Sequence, residues 1–238
     1  MNPSALYQSA QARVVAAATR SGRSSDAVHI LVVSKTVAAE QLVELLDVGV
    51  TAFGENRVQE LEEKRAALRE LRPRSEVRWE LIGPLQSNKV RRAVAAADRI
   101  SSVDRISVLE AIARIAREEG SERHVAIQVN VDGDAAKAGF SAAELRAAIP
   151  AIGAVVEGGG VIIDGLFTIG RITPTPEDSR ATFASLRNAA VEVRRTAAEA
   201  GLSIGPLLSM GMSGDYEVAV EEGATQVRLG SAIFGARA

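Results

Sequence analysis

Lys35 stands directly after the apolar run HILVVS. A lysine stem leaving such a strand is partly desolvated, burial disfavours its ammonium, and the resulting neutral amine can form an imine with an aldehyde. The position also suits a lysine that merely ends a strand and reaches water, so its neighbours decide. In LLSMGMSGDYEVAVEEG an apolar strand runs through a loop of small residues, with Ser209, Met210, Ser213 and Gly214, into a helix near Asp215. Ser213 and several backbone amides can converge there on one anion, and the helix start adds positive partial charge. In QVRLGSAIFG, Gly230 permits close backbone approach and Ser231 offers a second hydroxyl. Tight turns and a helix cap would explain these residues one by one. Together with Lys35 they predict an amine and a phosphate cup, as a phosphorylated aldehyde requires.

For one ligand to use them all, the fold must bring residues 35, 213 and 230 to the same side. Short runs rich in Val and Ile recur at 29–33, 51–53, 79–82, 99–102, 125–129, 162–167, 207–209 and 226–229, each followed by a polar or glycine break. Helical periodicity follows over 38–46, 57–71, 87–96, 105–119, 142–149, 176–200 and 215–222. Thr175 and Pro176 open one of these helices, the hydroxyl serving as cap. Glu60 and Lys64 sit in the favourable order for a helix-surface ion pair. The alternation predicts one α/β domain over 1–238, a (β/α)8 barrel of the TIM type, with a leading helix and connector over 1–28. Packed aliphatics are expected inside the barrel, and chemistry on the loops leaving the C-terminal strand ends. Lys35, Asn56, the run GPLQSNK, Ser213 and Ser231 all fall on that rim, whereas His29 and His124 begin strands and belong to the opposite one.

Hydrophobic content of 47% with 24% charged residues supports a continuous core. A net charge of -2 and a pI near 5.9 leave no basic excess for nucleic acid, and Arg91 with Arg92 reads as a solvated helix face. The absence of cysteine removes disulfides, thiol catalysis and thiolate metal sites, and two histidines leave little for zinc. Gln and Arg interrupt the apolar spacing of the N-terminus, unlike a signal sequence or membrane span, so a cytoplasmic protein without membrane contact is expected.

Through VVSKT, FGENRVQE, WELIGPLQSNK, ISSVD, QVNVDGDAAKAGF, GLFTIG, LSMGMSGDYEVAVEEGAT and VRLGSAIFGAR, the chain resembles the pyridoxal phosphate homeostasis protein family. These are single-domain relatives of the barrel half of alanine racemase, and the resemblance covers nearly all of the chain after residue 30. It implies a type III pyridoxal phosphate fold with the cofactor held as an internal aldimine on Lys35. Asn56 would lie beside the cofactor, Ser213, Gly230 and Ser231 would hold its phosphate, and Arg228 would face the pyridine nitrogen. The resemblance further implies a carrier or regulator in vitamin B6 balance, with cofactor-requiring apoenzymes as transient partners. A monomer is expected.

Three positions depart from the family's usual pattern. Glu80 in WELIG stands where histidine is usual, and Pro84 where histidine or another polar residue is frequent. Phe167 replaces a common methionine, a change expected to concern packing alone. Arg228 argues for a carrier over an enzyme: a guanidinium stays protonated, leaves the pyridine neutral and weakens its electron sink. Racemases tolerate this arrangement, but they add a tyrosine from a second domain. Here the sequence ends at Ala238, and Tyr216, the only tyrosine near the rim, is expected to pack. No catalytic or metal-binding residue is assigned. The alternatives are a residual racemase or transaminase using the same Schiff base, and a lysine aldolase or other phosphate-ligand barrel. Lys137, in DGDAAKAGF, reads as a solvent-exposed loop lysine or a transient acceptor of the aldehyde.

Overall fold

The computed structural model describes residues 2–235, and the two ends of the expected 1–238 domain lie outside them. Eight strands, β1 (His29–Val33), β2 (Ala52–Glu55), β3 (Arg78–Leu81), β4 (Arg99–Val103), β5 (Arg123–Gln128), β6 (Val161–Phe167), β7 (Leu207–Met212) and β8 (Gln226–Leu229), close into a barrel in chain order. All neighbours are parallel. This is the (β/α)8 barrel of the TIM type expected from the sequence. Closure pairs β1 with β8, Leu31 opposite Arg228 and Val32 opposite Leu229. The strand that delivers Lys35 therefore lies beside the one that delivers Arg228 and Gly230.

The leading helix α1 (Pro3–Arg20) begins where Asn2 accepts from the Ala5 amide at 2.9 Å, with Pro3 in a first turn that needs no N–H. Its buried face, Tyr7, Ala10, Val14, Ala17 and Ala18, packs on α8 (Tyr216–Glu221) and α9 (Ser231–Phe234). Arg20 adds ion pairs to Glu217 and Glu221. The remaining helices, α2 (Glu40–Leu46), α3 (Val58–Leu71), α4 (Val90–Ala96), α5 (Ile106–Glu118), α6 (Ala142–Glu157) and α7 (Arg180–Glu199), complete the outer ring. The main core lies between strands and helices, where Phe53 and Trp79 meet with ring centroids 5.5 Å apart. Truncating either ring to alanine would cost roughly 3–5 kcal/mol.

The structure corrects four expectations. α6 runs on to Glu157 through Pro150, because Ile149 and Ile152 are buried on the barrel and hold the helix across the lost hydrogen bond. β7 continues to Met212, where the ladder to β8 shifts register. Thr175 does open a helical turn, as a 3-10 segment Pro176–Ser179, but its amide and hydroxyl donate to the Asp178 carboxylate. The barrel interior is not purely aliphatic: Leu31, Val33, Ala52, Ile82, Ala126 and Phe167 form only a small inner cluster. Below them lie buried Glu80, Gln226, Ser209 and Arg228, with Arg99 and Asp164 reaching them from the N-terminal rim.

Candidate functional site

Lys35 sits in a tight turn in which the Val37 amide donates to the Ser34 carbonyl at 2.9 Å. The next residue, Thr36, has a φ of 64°, a left-handed conformation that a β-branched side chain adopts only under constraint. That constraint is visible. The Thr36 amide donates to Glu60, and the Lys64 ammonium donates to the Ser34 carbonyl at 2.6 Å and to Glu55 and Glu60 at 2.7 Å each. Ser34 Oγ donates to Glu55 Oε1 at 2.6 Å. The expected Glu60–Lys64 pair thus forms, but it is one edge of a buried cluster and not a surface bridge. Burial pushes the Glu55 carboxyl above its ordinary range despite Lys64 and Ser34, and its Oε2 has no partner. For Glu60, burial also works against ionisation, but Lys64, the Thr36 amide and nearby Arg57 together hold it low.

Beyond this turn a cavity of about 590 Å3 opens at the C-terminal rim. Of the nine residues singled out from the sequence, Lys35, Asn56, Ser213, Gly214, Arg228, Gly230 and Ser231 line it. Ser209 and Met210 do not. Ser209 is buried behind Arg228 and accepts from it at 3.1 Å, and Met210 is buried in the core beneath the outer helices. Met212 lines the cavity instead, because β7 extends past Gly211. Gly211 has a φ of 88°, and a Cβ there would fall 2.4 Å from that of Ala219, so only glycine lets the strand turn this close to α8. Gly83 plays a similar part across the cavity, where a Cβ would lie 2.2 Å from the Asn56 carbonyl.

The two strand ends expected to form a phosphate cup are joined by hydrogen bonds. The amides of Gly230 and Ala232 both donate to Ser213 Oγ, at 3.2 and 3.0 Å. Asp215 closes the preceding loop by accepting from the Met212 amide at 2.7 Å. Donors and hydroxyls are thus concentrated at one end of the cavity, on backbone fixed by its own hydrogen bonds.

Arg228 stands at the inner wall. It donates to the Thr168 carbonyl at 2.7 Å, and its guanidinium lies 4.3 Å from the centroid of the Phe167 ring. Phe167 therefore does more than pack: its π face supports the cation. Burial lowers the Arg228 pKa to about 10, opposed by Asp215 and Glu80, so the group stays charged near neutrality. Pro84 also lines the cavity, whereas Glu80 lies deeper in the barrel. Tyr216 is buried in the core and lines no part of the cavity. Lys137 also stays off it; its amine is shielded from solvent, 3.6 Å from Asp134, so it is not the exposed loop lysine expected.

A larger groove, of about 990 Å3, opens at the N-terminal rim between α1 and the strand starts. His29 lines it, and His124 lies at the same end with Nδ1 2.7 Å from Asp164. No lysine lines this groove, whereas Lys35 lines the smaller cavity at the other end of the barrel. Among the described residues no cluster of His, Asp and Glu could hold a metal ion, and no helix is long and apolar enough to cross a membrane.

Comparison with known proteins gives a consistent result. A family model described as the alanine racemase N-terminal domain matches residues 9–238. The pyridoxal phosphate homeostasis protein of Aquifex aeolicus is 38% identical over 225 residues, 94% of each chain. The chain belongs to this family. The pyridoxal phosphate homeostasis protein of Escherichia coli is 37% identical over 229 residues, 94% of this chain and 92% of its own. Among solved structures, PipY of Synechococcus elongatus with pyridoxal phosphate bound superimposes with a TM-score of 0.80 at 37% identity, covering 93% of this chain and all of that one. An alanine racemase of Clostridium difficile shares the fold alone, with a TM-score of 0.67 at 17% identity over 88% of this chain and 53% of that one.

Proposed function

We propose that this protein binds pyridoxal 5'-phosphate in the C-terminal cavity, through a Schiff base on Lys35, and serves to hold and deliver the cofactor. The observation that carries this reading is the convergence, in one cavity, of the Lys35 amine, the buried Arg228 cation and the hydroxyl- and amide-rich Ser213–Gly230–Ser231 turn. When bound, the cofactor supplies an aldehyde that a primary amine can capture and a conjugated ring that can withdraw electrons. The strained turn at Thr36 fixes where the Lys35 stem leaves β1, and its amine forms the C=N bond with loss of water. Ser213, Gly214, Gly230 and Ser231 would hold the phosphate, Asn56 would flank the ring, and Arg228 would face the ring nitrogen.

Arg228 favours storage over catalysis. A protonated guanidinium cannot give the ring nitrogen a proton-sharing acidic partner, so the ring remains a weak electron sink. No tyrosine among the described residues lines the cavity to act as a second acid or base. Cofactor-requiring apoenzymes are the proposed recipients.

The test is to load the protein with pyridoxal phosphate and mix it with an apo-aminotransferase while following activity and α-proton exchange of alanine in deuterated buffer. Reactivation of the apoenzyme, with no exchange by the loaded protein above free cofactor, is expected. Lys35-dependent exchange would instead establish the residual racemase or transaminase reading.

A further inference from the structure

Arg228 is buried with 4% of its surface exposed, yet it forms no ion pair among the described residues and bonds only to a hydroxyl and a carbonyl. An unmatched buried charge is costly, and Asp215 and Glu80 are the two carboxylates that act on it through space. A row of hydrogen bonds leads to one. Arg228 donates to Ser209 Oγ at 3.1 Å, Ser209 donates to Gln226 Oε1 at 2.6 Å, and Gln226 Nε2 donates to Glu80 Oε1 at 2.8 Å. The order of donors follows from its far end. A carboxylate only accepts, so the Gln226 amide must turn its NH2 toward Glu80 and its oxygen toward Ser209. The Ser209 proton is then committed to Gln226, which leaves a lone pair for Arg228.

The charges around Glu80 fit this role. Arg99 on β4 donates to Glu80 at 2.6 Å and to Asp164 on β6 at 2.5 Å, and Ser101 adds a bond at 3.2 Å. His124 on β5 meets Asp164 at the rim. Two carboxylates, Glu80 and Asp164, thus share Arg99, and the negative charge left over joins that of Asp215 in answering Arg228. A neutral histidine in place of Glu80 could both donate and accept, and would dictate no such order.

We propose that Glu80 is a positioning residue for the cofactor site: through Gln226 and Ser209 its carboxylate orients the Arg228 guanidinium and balances its charge, which sets the environment of the ring nitrogen. The inference rests on the pyridoxal phosphate reading above and names a part of that site outside the cavity.

The test uses the full chain loaded with pyridoxal phosphate 15N-labelled at the ring nitrogen. Wild type, Glu80→Gln, Glu80→Asp, Ser209→Ala and the Glu80→Gln/Ser209→Ala pair are compared by the label's NMR shift and by dissociation constant. Glu80→Gln is expected to move the shift and to weaken binding roughly tenfold, as for loss of a charge-assisted hydrogen bond. Glu80→Asp should retain most of both. Ser209→Ala should move the shift in the same direction, and the double variant should go no further, because the row is already cut. If Glu80→Gln does not fold, the Ser209→Ala shift decides. An unmoved shift in the folded variants, or fully additive effects, would overturn the proposal while leaving the cofactor reading intact. Failure of the wild type to form a Schiff base would remove that reading instead.

Discussion

Lys64 donates to the main-chain carbonyl of Ser34 at 2.6 Å, one residue before the lysine proposed to bind the cofactor. A buried amine therefore serves to hold the turn that carries the partly buried Lys35. Lys64→Met would leave the buried Glu55 carboxyl without its cation and free the turn. Urea denaturation is expected to show a loss of about 3 kcal/mol, as for breaking a buried pair from one side. Stopped-flow mixing should also show slower capture of pyridoxal phosphate.

The strained backbone at Thr36 gives a sharper probe. Thr36→Gly removes the steric objection to a positive φ, offsetting the greater freedom that glycine gives the unfolded chain. Its unfolding free energy should stay within about 1 kcal/mol of wild type. Thr36→Pro loses the amide that donates to Glu60 and cannot reach a φ of 64°, so a much larger loss is expected in the same denaturation series.

The Phe167 ring under Arg228 predicts a graded series. Phe167→Leu keeps much of the apolar volume and removes the π face, and should weaken cofactor binding by about 1–2 kcal/mol in a fluorescence titration. Phe167→Met retains a polarizable group and should fall between wild type and leucine.

Burial raises the Glu55 carboxyl above its ordinary value near 4.5, so between that value and the raised one the folded chain holds more protons than the unfolded chain. This contribution to stability is present at low pH and lost as pH rises through the folded value. Glu55→Gln should flatten the decline of denaturation midpoint with rising pH above about 4.5. A pH dependence identical to wild type would contradict the assignment.

The fold was legible where hydrophobic runs are clean. β1 and β8 begin and end where their Val, Leu and Ile residues predict. β5 starts two residues earlier than its apolar run, taking in Arg123 and His124, whose polar side chains the hydrophobic pattern does not count. The apolar pattern ends β7 at Ser209, because local sequence cannot reveal that Gly211 bends within the strand against Ala219. The cavity was largely readable, since strand ends collect on one rim of any such barrel. The interior column was not. Glu80, Arg99, Asp164 and Gln226 come from four different strands, and only closure of β1 on β8 brings them within hydrogen-bond reach. Lys64 read as half of a surface pair because nothing local shows that Glu55 and Ser34 lie beneath it.

The most direct test of the central claim is borohydride reduction of the protein saturated with pyridoxal phosphate, followed by peptide mapping by mass. A single adduct with the mass of reduced pyridoxal phosphate, on the peptide containing Lys35 and absent from Lys35→Ala, is predicted. An adduct on Lys64 or Lys137, or none at all, would contradict the account.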